Sequence, residues 1–114
     1  MYKSRLSRRT MSKSSVATDN QILQLHIAMA EKLLAEPWRV EAVRDKLEKR
    51  YQAGLIRHSG YIHWFSILDC IDQPDLFKQT LLDEGERMRK LRRRTILIGI
   101  LSEEERSAIM ADKS

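Results

Sequence analysis

Apolar positions recur at helical spacing along most of this chain. Ile22, Leu25, Met29 and Leu33 repeat every three or four residues, flanked by Leu23, Ile27 and Leu34. An apolar arc this wide predicts a deeply packed first helix. Thr18-Asp19-Asn20 supplies its N-cap candidates. At Glu36-Pro37 the helix should stop and another begin, because proline disfavours the α region before it and suits a first helical turn. Val40, Val43, Leu47 and Tyr51 form the stripe of the second helix, and Gly54 is its natural C′ residue. The short link predicts that these two helices pair as an antiparallel hairpin. The opposite face of the second helix carries Arg39, Glu41, Arg44, Asp45, Lys46, Glu48, Lys49 and Arg50, which reads as a solvated surface with weak ion pairs.

Beyond a loop from Leu55 to Gly60, Tyr61, Trp64, Phe65, Leu68 and Ile71 line one side of a third helix. This aromatic stretch is expected to be the packing centre, with Trp38 as a candidate neighbour, rather than a ligand cage. Asp72-Gln73-Pro74-Asp75 repeats the stop–start device. Leu76, Phe77, Leu81 and Leu82 give the fourth helix its buried side. Because Leu81, Met88 and Leu91 stay on roughly one face, that helix is expected to resume or continue through Gly85 to about Arg93. Thr95 to Leu101, TILIGIL, has strand-like composition. In a helical protein such a segment must pack against the helices, pair with a partner's edge or pair with its own copy. Ser102-Glu103-Glu104-Glu105 is a capping box opening a short final helix with Ile109 and Met110 on its apolar side. The fold class is therefore all-α: a small antiparallel bundle of four main helices plus a short C-terminal one.

Residues 1–17 break this pattern. They lack periodicity, are rich in Ser, Arg and Lys, and read as a disordered basic tail preceding a single helical domain over 18–114. They are free of acid, faintly like a transit peptide; Met11 is an alternative start, and residues 1–10 read equally as an added extension. The net charge of +5 resides in this tail, at Lys3, Arg5, Arg8, Arg9 and Lys13. The rest of the chain carries 16 basic and 16 acidic residues, so a high isoelectric point alone does not argue for nucleic acid. The 114 residues suit one domain, no apolar run is long enough to span a membrane, and the single cysteine, Cys70, fits a reducing cytoplasm.

Catalytic and metal signatures are sparse. His58, His63, Asp69, Cys70 and Asp72 lack metal-ligand spacing. Only four glycines are present, and no GxSxG, P-loop or GxGxxG occurs. Cys70 ends an apolar helix, where a small buried thiol is expected, and His26 beside the first apolar arc reads as a partly buried, hydrogen-bonded core histidine. No enzyme activity, cofactor or metal is expected.

The one local feature above background is the cationic block abutting the apolar one. Six of the eight residues from Arg87 to Arg94 are basic. On a helix Arg87, Lys90 and Arg94 share a side, Arg89, Arg92 and Arg93 spread around the rest, and Met88 and Leu91 dock inward. Arginine suits bidentate contact with phosphate or carboxylate. The bland alternative is neutralisation by Asp83, Glu84, Glu86 and Glu103 to Glu105. Arg87, Arg89, Lys90, Arg92, Arg93, Arg94, Ile96, Ile98 and Leu101 are thus the candidate docking residues. The function expected is a non-enzymatic interaction module that binds a protein partner or a second copy of itself. A nucleic-acid-binding regulator using the same block on phosphates is the alternative, with Gln52-Ala53-Gly54-Leu55 as a candidate inter-helix turn. The run LRRRTILIGILSEEER, Leu91 to Arg106, resembles the Arg-rich, apolar, then acidic segment of small bacterial proteins without assigned activity. That resemblance implies a bacterial cytosolic protein and transfers no site residues.

Overall fold

A computed structural model describes residues 2–112, with side chains described for 18–111. Six helices carry the described chain, and no strand occurs among the described residues. They are α1 (Tyr2–Ala35), α2 (Arg39–Gln52), α3 (His58–Asp69), α4 (Pro74–Leu81), α5 (Glu86–Arg93) and α6 (Glu103–Asp112). The basic stretch expected to form a tail has helical backbone continuous with the rest of α1. Side chains of residues 1–17 lie outside those described.

α1 is the spine. Met29, Ala30 and Leu33 are buried on it, and α4, α5 and α6 all pack against it. α2 packs mainly on α3 rather than on α1, so the expected α1–α2 hairpin is not the main pairing. The cause lies in the elbow. Pro37 and Trp38 form a turn, with Arg39 N–H donating to Glu36 O and Val40 N–H to Pro37 O, both at 3.0 Å. The short connection fixes sequence proximity but leaves α2 free to pair elsewhere. Trp38 is 68% exposed there and does not join the core. Trp64, Ile67 and Leu68 of α3, Phe77 and Leu81 of α4, and Val40, Val43 and Leu47 of α2 complete one contiguous core.

Local chemistry sets several boundaries where expected. Gly54 sits at φ +75°, a conformation that disfavours any side chain. Leu55 N–H donates to Arg50 O and Gly54 N–H to Tyr51 O, the paired bonds of a Schellman ending. Pro74 starts α4. Ser102 and Glu105 cap α6 reciprocally: Glu105 N–H donates to Ser102 Oγ at 3.1 Å and Ser102 N–H to Glu105 Oε1 at 2.8 Å.

Of the two readings left open at Gly85, resumption holds: a separate helix, α5, takes up at Glu86 and runs to Arg93. α4 ends at Leu81, Gly85 is extended at ψ 160°, and its N–H donates to Asp83 Oδ1 at 2.7 Å. An Asx-type turn thus competes with helix continuation and wins, because Asp83 satisfies the backbone locally. The apolar segment is not a strand and takes the first of its three expected arrangements, packed against the helices, so that, Ile98 apart, the docking surface expected of it is overturned. Ile96, Leu97, Ile100 and Leu101 are all buried in this one chain, and only Ile98 of its large apolar residues is exposed. Gly99 at φ +94° makes the turn that brings both pairs inward. The buried positions are i, i+1, i+4 and i+5, not alternate residues as a half-buried strand requires.

Candidate docking cleft

Two structures wall a broad cleft. The first is the α2–α3 corner. Tyr51 of α2 and Tyr61 of α3 stack, with ring centroids 4.1 Å apart and planes 12° apart. The Tyr51 hydroxyl hydrogen-bonds His58 Nδ1 at 2.9 Å, and the Tyr61 hydroxyl donates to Glu48. These bonds brace the corner that Gly54 turns. The aromatic stretch is therefore split: Trp64 is fully buried, whereas Phe65 is 38% exposed beneath the Arg44 guanidinium, 5.4 Å from its ring centroid.

The second wall is α5 with the segment that follows it. Thr95 pins that segment. His26 is buried on α1, and its Nδ1 lies 2.8 Å from Ile22 O. A carbonyl only accepts, so Nδ1 carries the proton of the neutral ring and Nε2 accepts from the Thr95 hydroxyl, also at 2.8 Å. The same Thr95 oxygen accepts from Leu97 N–H, and Thr95 O accepts from Arg50 Nη1 at 3.0 Å. Burial is the first cause that pushes the His26 imidazole down to about 4, so it is neutral at physiological pH. Its expected role as a hydrogen-bonded core histidine matches these contacts.

Between the walls lies a cleft of ≈ 1210 Å³. Arg50, Arg57, Arg87, Lys90, Arg93 and Arg94 line it beside Leu55, Ile56, Trp64, Leu91 and Ile98, and no carboxylate does so among the described residues. Some of these cations have internal partners. Arg93 makes a bidentate pair with Asp19 of α1, both bonds at 2.7 Å. The bond to Arg93 lowers the Asp19 carboxyl, and the same bond raises the Arg93 guanidinium. Arg87 Nε donates to His63 Nδ1 at 2.9 Å, and burial together with that guanidinium lowers the His63 imidazole. The side chains of Arg57, Lys90 and Arg94 make no hydrogen bond or ion pair to any described residue.

The expected docking residues thus divide. Arg87, Lys90, Arg93, Arg94 and Ile98 come together on the cleft. Arg89 is exposed away from it. Ile96 and Leu101 are sealed in the core and cannot touch a partner in this fold. Arg92 is 2% exposed, and its Nη1 donates to Leu81 O at 2.8 Å and Asp83 O at 2.7 Å. It ties off the end of α4 instead of facing outward. Burial lowers its pKa, opposed by the charges of Glu84, Asp19 and Asp83. Two of the acids expected to neutralise the block, Glu105 and Asp83, make their bonds elsewhere, while the charges of Glu84 and Glu86 still act on Arg92 and Arg93. Glu105 pairs with Lys32, which with the Ser102 N–H holds its carboxyl at about 2, and Asp83 caps Gly85. Asp19, remote in sequence, matches Arg93 in their place.

Arg50 and Arg57 were not among the expected residues; nothing in their own neighbourhood signals that the chain folds them toward α5. Among the described residues, no group of three or more His, Cys, Asp or Glu is placed to hold a metal ion, and no helix is long and apolar enough to cross a membrane. No known family, curated protein or solved structure matches this chain.

Proposed function

We propose that this protein is a non-enzymatic interaction module that docks an acidic surface of a protein partner in the cleft. The observation that carries this reading is the convergence of six cationic side chains from α2, the α2–α3 loop, α5 and its C-terminal end on a concave surface lined by no carboxylate among the described residues. Like charges crowded together repel and raise the free energy of the isolated fold, so an acidic partner gains more there than on a mixed surface. Three of the cationic side chains have no partner among the described residues and are available to a ligand. The half-buried lone thiol of Cys70 fits work in a reducing cytoplasm.

The test is retention on immobilised polyglutamate. Lys90→Glu/Arg94→Glu reverses two cleft charges, and Lys49→Glu/Arg89→Glu reverses two exposed charges outside it. Net charge falls equally in both variants. The cleft variant should elute at clearly lower salt than the other. Identical elution of the two variants would mean that retention reports net charge alone, and the reading would fail.

A further inference from the structure

We infer that the segment the cleft takes is amphipathic, with Leu, Ile or Val interspersed among Asp and Glu, and that it is neither a uniform polyanion nor a nucleic acid strand. This inference rests on the reading that the cleft docks a protein, and it specifies the chemistry of what docks.

The cleft is cationic, but its lip is aliphatic. Leu55, 73% exposed, is the most exposed large apolar residue described, and Ile98 is 58% exposed. Both line the cleft, whereas the other exposed apolar residues lie outside it. Leu55 follows a Schellman ending, where the residue after the glycine commonly folds back on the helix; here it stands out instead. A uniform polyanion would satisfy the guanidinium and ammonium groups yet leave both aliphatic side chains in water. An amphipathic acidic segment covers both, placing apolar anchors at Leu55 and Ile98 and carboxylates toward Arg57, Lys90 and Arg94.

Nucleic acid fits less well. Modules that bind single strands stack bases on exposed aromatic rings. Among the described residues the one ring lining this cleft, Trp64, is fully buried. Aliphatic side chains at the lip give bases no platform.

The test is fluorescence anisotropy at low salt with three labelled probes of equal charge: a peptide mixing Glu with Leu and Ile, polyglutamate, and a single-stranded oligonucleotide. The amphipathic peptide should bind roughly tenfold tighter than polyglutamate, the equivalent of one well-covered aliphatic contact. Leu55→Ser/Ile98→Ser should erase that preference while leaving polyglutamate binding in place. Both positions are exposed, and circular dichroism checks that the variant is folded. Equal affinity for the two peptides overturns the inference but leaves the acidic docking site standing. Tightest binding to the oligonucleotide overturns it in favour of phosphate recognition. Binding of no probe defeats both the inference and the reading beneath it.

Discussion

Replacing Arg92 by alanine separates the structural part of the basic block from the part that faces solvent. The side chain is 2% exposed and donates two hydrogen bonds, at 2.8 and 2.7 Å, to carbonyls at and just beyond the end of α4. Bonds from a charged donor contribute about 1.5–3 kcal/mol each, so the pair supplies at most about 6 kcal/mol. Relief from burying the guanidinium offsets part of this, since desolvation is the largest influence on its pKa. A net loss of about 2–4 kcal/mol remains for Arg92→Ala, and some of it reflects the emptied volume. Arg92→Met keeps most of the apolar stem and isolates the polar share. Arg92→Lys should be milder than alanine, because a single nitrogen, Nη1, makes both bonds and an ammonium carries enough donors for two acceptors. The assay is urea unfolding followed by far-UV circular dichroism, with polyglutamate affinity measured on the folded variants. Alanine should shift the unfolding midpoint strongly and leave affinity nearly unchanged. If it instead unfolds within about 0.5 kcal/mol of the parent and loses affinity, Arg92 is a surface contact and the assignment is wrong.

Three other outcomes follow from the same packing. Ile96→Ala empties a fully buried site and should cost about 2–5 kcal/mol in denaturant unfolding without creating or dispersing an oligomer by light scattering; an oligomeric parent that becomes a stable monomer would put Ile96 at an interface instead. His26 is held neutral in the fold, with its pKa pushed from 6.5 down to about 4, so stability is full above 6.5 and falls as acid protonates the unfolded chain first. The loss by pH 4 should approach 3 kcal/mol, at about 1.4 kcal/mol per pH unit, and His26→Leu should flatten that slope; an unchanged slope would contradict the burial of the ring. Gly99→Ala forces a side chain to φ +94° and should cost about 1–2 kcal/mol in thermal unfolding, whereas no change would mean that the turn is not held at that angle.

How far the fold is legible in the sequence depends on the range of the forces that set each piece. Pro74, Gly54 and the Ser102–Glu105 box act over a few residues, and their structural roles follow from residue type alone. His26 was legible for a similar reason: a polar ring beside an apolar arc needs partners, and Ile22 lies one turn away. At Gly85 the sequence left continuation and resumption both open, because the apolar face continues through it, while the Asp83 bond that breaks the helix leaves no trace in hydrophobic periodicity. Which side chains of TILIGIL turn inward was not legible, because Ile98 is as apolar as the four residues that are buried and only the turn at Gly99 separates them. The cleft was half legible. Arg87, Lys90, Arg93 and Arg94 stood out as a local block, but Arg50 and Arg57 reach it only through tertiary packing. Asp19 meets Arg93 across 74 positions of sequence, a distance over which no local pattern carries information.

The central claim is that the cationic cleft, and no other face, receives the partner. A photo-crosslinking residue placed at Leu55 on its lip, and separately at Ile62, which is 46% exposed but outside it, tests this most directly. With the labelled amphipathic acidic peptide bound, the Leu55 position should form a crosslinked product that competing unlabelled peptide suppresses, and the Ile62 position should form little. Equal crosslinking at both positions, or product at Ile62 alone, would contradict the account.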